Sequence, residues 1–186
     1  MPYFFRRSTA CVLVLGTLVG VVGCSSVTDE AMPANCLAAS NFDALAGWGG
    51  LTNPALTQEQ AYSGRFSTKI DSTVEYSVGY QAPLGSNAVK GSAKITVEAW
   101  AWRKSYGADA KLVLQITDPA ANGKQLFWQA IDVSRHARTA RKWAKVSQEF
   151  VLPPGLLPTQ QFWFFMWRQG NGNPVYLDDV RIMRHD

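Results

Sequence analysis

Glu98, Trp100 and Trp102 occupy alternate positions of one segment rich in β-forming residues. Indole rings offer flat apolar faces to the C–H side of a sugar ring, and a carboxylate accepts hydrogen bonds from hydroxyl groups. Further tryptophans that could contribute are Trp128, Trp163 and Trp167. A stacking platform follows if Trp163 or Trp167 shares a sheet face with Trp100. The alternative for each ring is a structural place in the protein core.

Catalytic signatures are absent from the sequence. It contains no G-x-S-x-G elbow, no H-E-x-x-H motif and no Cys/His cluster. Glu98 could pair with Glu75 or Asp109 as the two carboxylates of a glycosidase, but nothing in the sequence fixes their separation. We therefore expect no catalytic residues, and we expect this chain to be a binding protein and not an enzyme.

One dense basic run follows the middle of the chain, and its members are Arg135, His136, Arg138, Arg141, Lys142 and Lys145. Such a run could contact an acidic polysaccharide, the phosphates of lipopolysaccharide or the carboxylates of a partner protein. A solvated loop has the same composition. The formal charge of +4 includes two arginines near the N-terminus, and we expect no nucleic-acid partner.

The N-terminus has the layout of a secretory signal peptide. Arg6 and Arg7 precede an apolar stretch over residues 10–22, which is too short to span a bilayer as a helix. The sequence Val21-Val22-Gly23-Cys24 resembles the lipobox of bacterial lipoproteins. That resemblance implies a leader over residues 1–23 and a Cys24 that carries diacylglycerol and an amide-linked acyl chain such as palmitate. The alternative is an ordinary secretory leader with an incidental cysteine.

Lipidation at Cys24 implies a stable attachment to a membrane, because two or more acyl chains hold a protein firmly. For a lipoprotein of this kind, the resemblance with Ser25 after the cysteine implies the outer membrane of the bacterial cell envelope. Residues 24–38 are rich in Ser, Thr, Pro, Ala and Asn, which is typical of a flexible tether. Residues 39–186 then form one domain. Cys36 is a small apolar residue or a free thiol, and we expect no intramolecular disulfide.

From Asn41 onward, short runs of β-branched and aromatic residues alternate with Gly, Pro, Asn and Asp, as strands alternate with turns. Ten predicted strands and no amphipathic helix indicate an all-β, two-sheet antiparallel sandwich. Only residues 134–142 could be briefly helical. The predicted strands are Ser40–Asp43, Gln58–Tyr62, Phe66–Asp71, Glu75–Ala82, Ala93–Lys104, Lys111–Thr117, Gln125–Val133, Trp143–Leu152, Gln161–Arg168 and Val175–Arg184.

The alternation within these strands predicts their faces. In 93–104, Ala and β-branched residues fall on one face, and Glu98, Trp100 and Trp102 fall on the other. In 111–117 one face carries Lys111, Val113, Gln115 and Thr117, and the other carries leucine and isoleucine. In 161–167 both faces are apolar, so this strand is central and covered on both sides, or it presents aromatic rings to a ligand.

An ordered series of short motifs now resembles the CenC-type carbohydrate-binding modules of the galactose-binding-like jelly-roll superfamily. The resemblance covers residues 40–184 and implies a jelly-roll fold that binds a polysaccharide. Its motifs are Asn41-Phe42-Asp43 with Trp48, the stretch from Ala61 to Ser67 with Lys69-Ile70, the stretch from Ile95 to Trp100, Trp143 to Val146, and Val175 to Ile182.

The resemblance also implies a structural calcium ion held by Asp43, the turn that begins at Ser63, and Asp178. Hard oxygen ligands from distant segments suit this ion. The alternative is that backbone amides of the turn satisfy both acids. Leu177 and Val180 are apolar but of opposite parity, so a β-bulge or a buried acid is expected at Asp178.

The function expected from these observations is that of a membrane-tethered, non-catalytic carbohydrate-binding lipoprotein. The alternative is a structural or adhesive envelope lipoprotein, in which the same fold contacts another envelope protein and binds no sugar.

Overall fold

The structure, a computed structural model, describes residues 35–45, 47–49, 54–87 and 93–185. The predicted leader, Cys24 and residues 24–34 of the predicted tether lie outside the described residues. The first strand begins at Cys36, so its first three residues lie within the predicted tether segment 24–38. Cys36 is half-buried, and this burial raises the pKa of its thiol.

The described residues form ten β-strands. Short 3₁₀ turns lie at Leu84–Asn87 and Pro119–Ala121, and a single α-helical turn, α1, lies at Val133–His136. No helix within the described ranges is long and apolar enough to cross a membrane. The strands are β1 (Cys36–Ser40), β2 (Leu56–Thr57), β3 (Ser67–Ile70), β4 (Tyr80–Pro83), β5 (Lys94–Arg103), β6 (Ala108–Asp118), β7 (Lys124–Asp132), β8 (Trp143–Val151), β9 (Gln161–Gly170) and β10 (Val175–His185).

The strands form two antiparallel sheets. One has six strands in the order β2-β3-β10-β5-β8, with β1 also paired to β10. The other has four strands in the order β4-β9-β6-β7. The predicted all-β two-sheet sandwich is therefore confirmed, and so is the central position of β9.

The predicted faces of β5 and β6 are confirmed. Ile95, Val97, Ala99 and Ala101 are buried between the sheets, whereas Glu98, Trp100 and Trp102 point to the outer face. The inner side of the four-stranded sheet is apolar in the same way, with Leu112, Leu114, Ile116, Phe162, Phe164 and Met166. Burial of these side chains drives the two sheets together, at roughly 1.5–3 kcal/mol for each large apolar residue.

The predicted strand Gln58–Tyr62 does not form, and the predicted strand Glu75–Ala82 is replaced by the shorter β4, Tyr80–Pro83. Residues 58–65 form bends because the amides of Tyr62 and Ser63 turn toward Asp178 and away from a ladder. Residues 75–79 follow β9 irregularly, with the amide of Ser77 bonded to Met166 O and the amide of Arg168 bonded to Glu75 O. Both segments nevertheless carry side chains onto an outer face of the sandwich.

Candidate functional site

The outer face of the four-stranded sheet carries a row of aromatic and amide side chains that crosses all four strands. Gln81 on β4 lies opposite Trp163 on β9, Trp163 opposite Gln115 on β6, and Gln115 opposite Trp128 on β7. Neighbouring strands lie about 4.8 Å apart, so the backbones that carry Trp163 and Trp128 are about 10 Å apart. Trp128 is 38% exposed. The row thus places two indoles with an amide between them.

A second row lies four residues further along β9. Trp167 pairs across the sheet with Tyr76 on one side and with Lys111 on the other, and Lys111 pairs with Asp132. The rings of Tyr76 and Trp167 are nearly parallel, with centroids 6.5 Å apart and an interplanar angle of 11°. Tyr76 is 51% exposed. This row ends in an ion pair, since Lys111 Nζ lies 2.6 Å from Asp132 Oδ1.

Hydrogen bonds fix the orientation of both tryptophans of β9. Trp163 Nε1 donates to Thr117 Oγ1 at 3.1 Å, and Trp167 Nε1 donates to Glu75 Oε1 at 3.1 Å. Each bond spans two segments of the sheet and therefore holds the ring plane without a ligand. A ring that is already held loses little conformational entropy when a ligand binds.

Around Trp163 the outer face forms a groove of about 570 Å³, which is within the usual size range of ligand sites and extends from Tyr76 to Thr117 and Gly123. None of the described residues that line it is charged. Its aromatic members include Tyr76, Trp163 and Phe165, and its polar members include Gln81, Gln115 and Thr117. The groove therefore combines apolar ring faces with neutral hydrogen-bonding groups.

Trp100 and Trp102 lie on the other sheet, so they do not share a face with Trp163 or Trp167. Tyr62 stacks on Trp100 with centroids 4.0 Å apart and an interplanar angle of 11°. Trp102 packs edge-to-face on Tyr176 with centroids 5.2 Å apart. Protein side chains therefore already occupy aromatic surface that a sugar would need. The combined platform considered from the sequence does not form on this face.

Glu98 is engaged on the same outer face. Its carboxylate lies 2.9 Å from Lys145 Nζ. A pocket of about 190 Å³ opens beside it, lined by Trp100, Asp179 and Arg181 among others. This pocket is smaller than the groove and is mostly polar.

A charged cluster supports the end of this sheet near Trp102. The hydroxyl of Tyr176 donates to Glu59 Oε2 at 2.6 Å. Burial is the main cause that raises the pKa of Tyr176, and the contact with Glu59 raises it further. Lys69 Nζ lies 2.7 Å from Glu59 and 3.1 Å from Asp71. Burial alone would raise the pKa of Asp71, but hydrogen bonds from Thr73 and Lys69 lower it to about 2. These contacts give Trp102 a rigid structural surrounding.

Several solved structures share the geometry of the described domain. The CBM22-1 xylan-binding domain of Paenibacillus barcinonensis Xyn10C is 18% identical, with a TM-score of 0.52, covering 80% of this chain and 94% of that one. A xylan-binding domain from CBM 22 is 15% identical, with a TM-score of 0.56, covering 81% and 95%. A family 16 carbohydrate-binding module is 17% identical, with a TM-score of 0.51, covering 75% and 92%. The fold is the jelly roll of carbohydrate-binding modules.

At these identities the likeness establishes the fold alone. No protein-family model matches the chain, and the search of curated proteins found no relative. The jelly roll predicted from the sequence is thus confirmed, and what its surfaces bind follows from their own chemistry.

The three residues expected to hold calcium meet around one turn of the jelly roll. Asp178 Oδ2 accepts hydrogen bonds from the amides of Tyr62 at 2.7 Å and Ser63 at 3.1 Å. The two carboxylate oxygens of Asp43 accept from the amide of Arg65 at 3.1 and 3.0 Å. Gly64 has a φ of 56°, and a Cβ there would collide with the carboxylate of Asp43. The acids therefore join the segment after β1 and the last strand to this turn.

The predicted β-bulge at Asp178 is confirmed. The register between β10 and β5 shifts between Asp178 and Arg181, and Asp179 has a φ of 46°. The bulge lets Leu177 and Val180 both face the core while Asp178 is buried beneath the turn. Burial raises the pKa of Asp178 to about 6, although the amides of Ser63, Tyr62 and Asp179 act in the opposite direction.

The surroundings of Asp178 do not match the donor set of a calcium site. Its carboxylate receives three backbone N–H groups, and the positive ends of those dipoles oppose a cation. Within the described ranges, no three His, Cys, Asp or Glu side chains come together as a metal-binding group. These contacts correspond to the alternative in which turn amides satisfy the acids.

Sequence reasoning did not single out Tyr76, Gln81 and Gln115, which line the groove. The signal for Gln115 was present, since it falls on the polar positions of β6, opposite the buried leucines. Tyr76 and Gln81 could not be placed, because the segment between Glu75 and Gly79 leaves the regular strand alternation on which such a prediction depends.

Proposed function

We propose that the groove on the four-stranded sheet binds an uncharged polysaccharide without cleaving it. The observation that carries the proposal is Trp163, whose indole is held by Thr117 and flanked across the sheet by Gln81 and Gln115. A pyranose can stack on the indole while the two amides donate to and accept from its hydroxyls. Similar folds described as xylan-binding domains make xylan the first polymer to test.

The neutrality of the groove defines the ligand further. A lining without charged side chains offers no partner for a carboxylate or a sulfate, and burying an unpaired charge there would cost free energy. Amide side chains instead match the hydroxyls of neutral sugars. The ligand is therefore a neutral stretch of glycan.

The experiment is binding of the purified full chain to soluble neutral polysaccharides, xylan first, by affinity electrophoresis and calorimetry. Trp163→Ala removes the stacking surface, and we expect it to weaken binding by about 30-fold or more, as loss of a central aromatic anchor does. Trp100→Ala is the matched control, because it removes the same side chain from the opposite sheet. It should leave the affinity unchanged while lowering the melting temperature.

Two results would count against this function. If no neutral glycan binds, the structural or adhesive alternative is favoured. If Trp100→Ala removes binding and Trp163→Ala does not, the site lies on the six-stranded sheet.

The cellular setting proposed for this module is the bacterial envelope. On this proposal the chain is a CenC-type module that carries lipid on Cys24 and is held at the outer membrane, with residues 24–38 as the tether. The support is the lipobox-like sequence before Cys24. Cys24→Ala should move the protein from the membrane fraction to the soluble fraction, and mass spectrometry of the wild-type N-terminus should detect the acyl chains.

A further inference from the structure

One end of the sandwich carries a concentration of positive charge, which we call the basic tip. It is formed by Arg103, Lys104, Arg135, Arg138, Arg141 and Lys142. Two segments far apart in sequence meet there: the amide of Arg141 donates to Arg103 O at 2.8 Å, and Arg141 Nε donates to Lys104 O at 3.4 Å. Except for Arg103, these side chains belong to exposed residues.

Two acids lie close in sequence to these cations, Asp109 and Asp132, and both already have partners within the protein. Asp109 accepts from the amide and hydroxyl of Ser134 at 3.0 and 2.8 Å. Asp132 is shared between Lys111 at 2.6 Å and Arg135 at 3.0 Å. Among the described residues, no carboxylate forms an ion pair with the remaining cations of the basic tip. Their charge is therefore available to a partner.

Arg103 adds a buried positive charge under the exposed cations of the basic tip. It occupies an inward position of β5, where the pattern calls for an apolar residue, and it is only 3% exposed. Its Nη1 donates to Ala108 O at 3.0 Å, and its Nε has no hydrogen-bond partner within the described structure. A guanidinium keeps its charge when buried, and there it is less screened by water and salt than an exposed one.

The loop between β5 and β6, which belongs to the basic tip, also presents an aromatic ring. Tyr106 is 75% exposed and lies two residues from Lys104. A ring beside several cations suits a ligand that combines apolar ring faces with negative charge, and an acidic sugar has both.

The basic tip lies away from the end at which the described chain begins. Asn35 contacts Arg184 near the end of β10, whereas Arg103 pairs with Val175 at its start. The partners of these two ends of β10 are Ile95 and Arg103, and the eight residue steps of β5 between them span about 27 Å.

We infer that the basic tip docks on an acidic polysaccharide, in which uronic-acid carboxylates pair with the arginines and lysines and Tyr106 packs against a sugar ring. This surface is separate from the neutral groove and does not depend on it. Because its cations are exposed, binding weakens steeply with salt.

The test uses the purified full chain with polygalacturonate as the probe and its fully methyl-esterified form as the neutral control. The chain should bind the acidic polymer and not the ester. Replacing Arg138, Arg141 and Lys142 with Gln together should weaken this binding by about tenfold, as expected for three exposed ion pairs. The matched control replaces Arg65, Arg181 and Lys94 with Gln, which removes the same charge elsewhere and should leave the affinity unchanged.

Three outcomes would overturn the inference. The first is equal binding of the acidic and esterified polymers, and the second is equal weakening by the two triple variants. The third is binding to vesicles of phosphatidylglycerol and phosphatidylcholine without binding to polygalacturonate, which would assign the basic tip to a lipid surface. Trp163→Ala should leave polygalacturonate binding intact, so failure here is distinguishable from failure of the neutral groove.

Discussion

Asp178 should make the stability of this domain fall as the pH rises from about 4 to 7. Its side chain is fully buried, and burial raises the pKa of its carboxyl to about 6, from an ordinary value of 3.8. A raised pKa in the folded state means that the folded protein binds the proton more tightly than the unfolded chain does. The resulting stabilisation is complete below pH 3.8 and is lost as the pH passes through about 6.

The size of this effect follows from the shift. Two pKa units correspond to about 3 kcal/mol, so the free energy of unfolding should fall by up to that amount between pH 4 and 7. The assay is urea unfolding at pH 4, 5, 6 and 7 for the wild type and for Asp178→Asn. The variant cannot titrate at this position, and the difference between the two pH profiles isolates Asp178 from every other group.

Asp71→Asn provides the control. Contacts with Thr73 and Lys69 hold the pKa of Asp71 at about 2, below its ordinary value, so its contribution is present above pH 4 and is lost only as the pH falls toward 2. This variant should therefore keep the wild-type slope between pH 4 and 7. If Asp178→Asn also keeps that slope, the carboxyl of Asp178 is not desolvated, and the account of the turn is wrong.

The remaining predictions concern the same turn and the core. Calcium chloride or a chelator should leave the melting temperature unchanged, because amides fill the positions around Asp178; a rise with calcium would contradict this. Gly64→Ala should cost about 1–3 kcal/mol in urea unfolding, since φ is 56° and Asp43 occupies the space; an unchanged midpoint would refute the clash. Phe164→Ala should cost about 3–5 kcal/mol and Phe165→Ala less, because only Phe164 lies in the inner core; equal losses would contradict the assigned faces.

Strand alternation was sufficient to predict the sandwich and the faces of its long strands. In β5 each outward residue is polar or a large aromatic, and each inward residue up to Ala101 is small or β-branched. A single assignment of inward and outward positions therefore fits this whole length of the strand. The bulge at Asp178 was predictable for the same reason. Leu177 and Val180 cannot both reach the core from a regular strand.

The location of the groove could not be predicted in this way. Alternation indicates that Trp100 points outward, but for Trp163 it gives no direction, because both faces of that strand are apolar. Nor does it state to which sheet either ring belongs, because sheet membership depends on pairings between distant strands. Trp100 also acquires its cover from Tyr62, a residue of an irregular segment drawn in by hydrogen bonds to Asp178. The exposure of a ring was therefore decided by a turn whose conformation is not encoded in a local pattern.

The neutral groove and the basic tip together lead to a last prediction. The row of Trp167 and Lys111 connects them, since Lys111 pairs with Asp132 and Asp132 with Arg135. A xylan that carries glucuronic acid branches can fill the groove with its backbone and contact the tip with its branches. Two linked contacts on one polymer strengthen binding beyond either alone. In calorimetry at low salt, the wild type should bind this polymer more tightly than unbranched xylan, and replacement of Arg138, Arg141 and Lys142 with Gln should make the two affinities equal. If the preference survives that replacement, the acidic branches contact the protein elsewhere, and the two surfaces act on separate polymers.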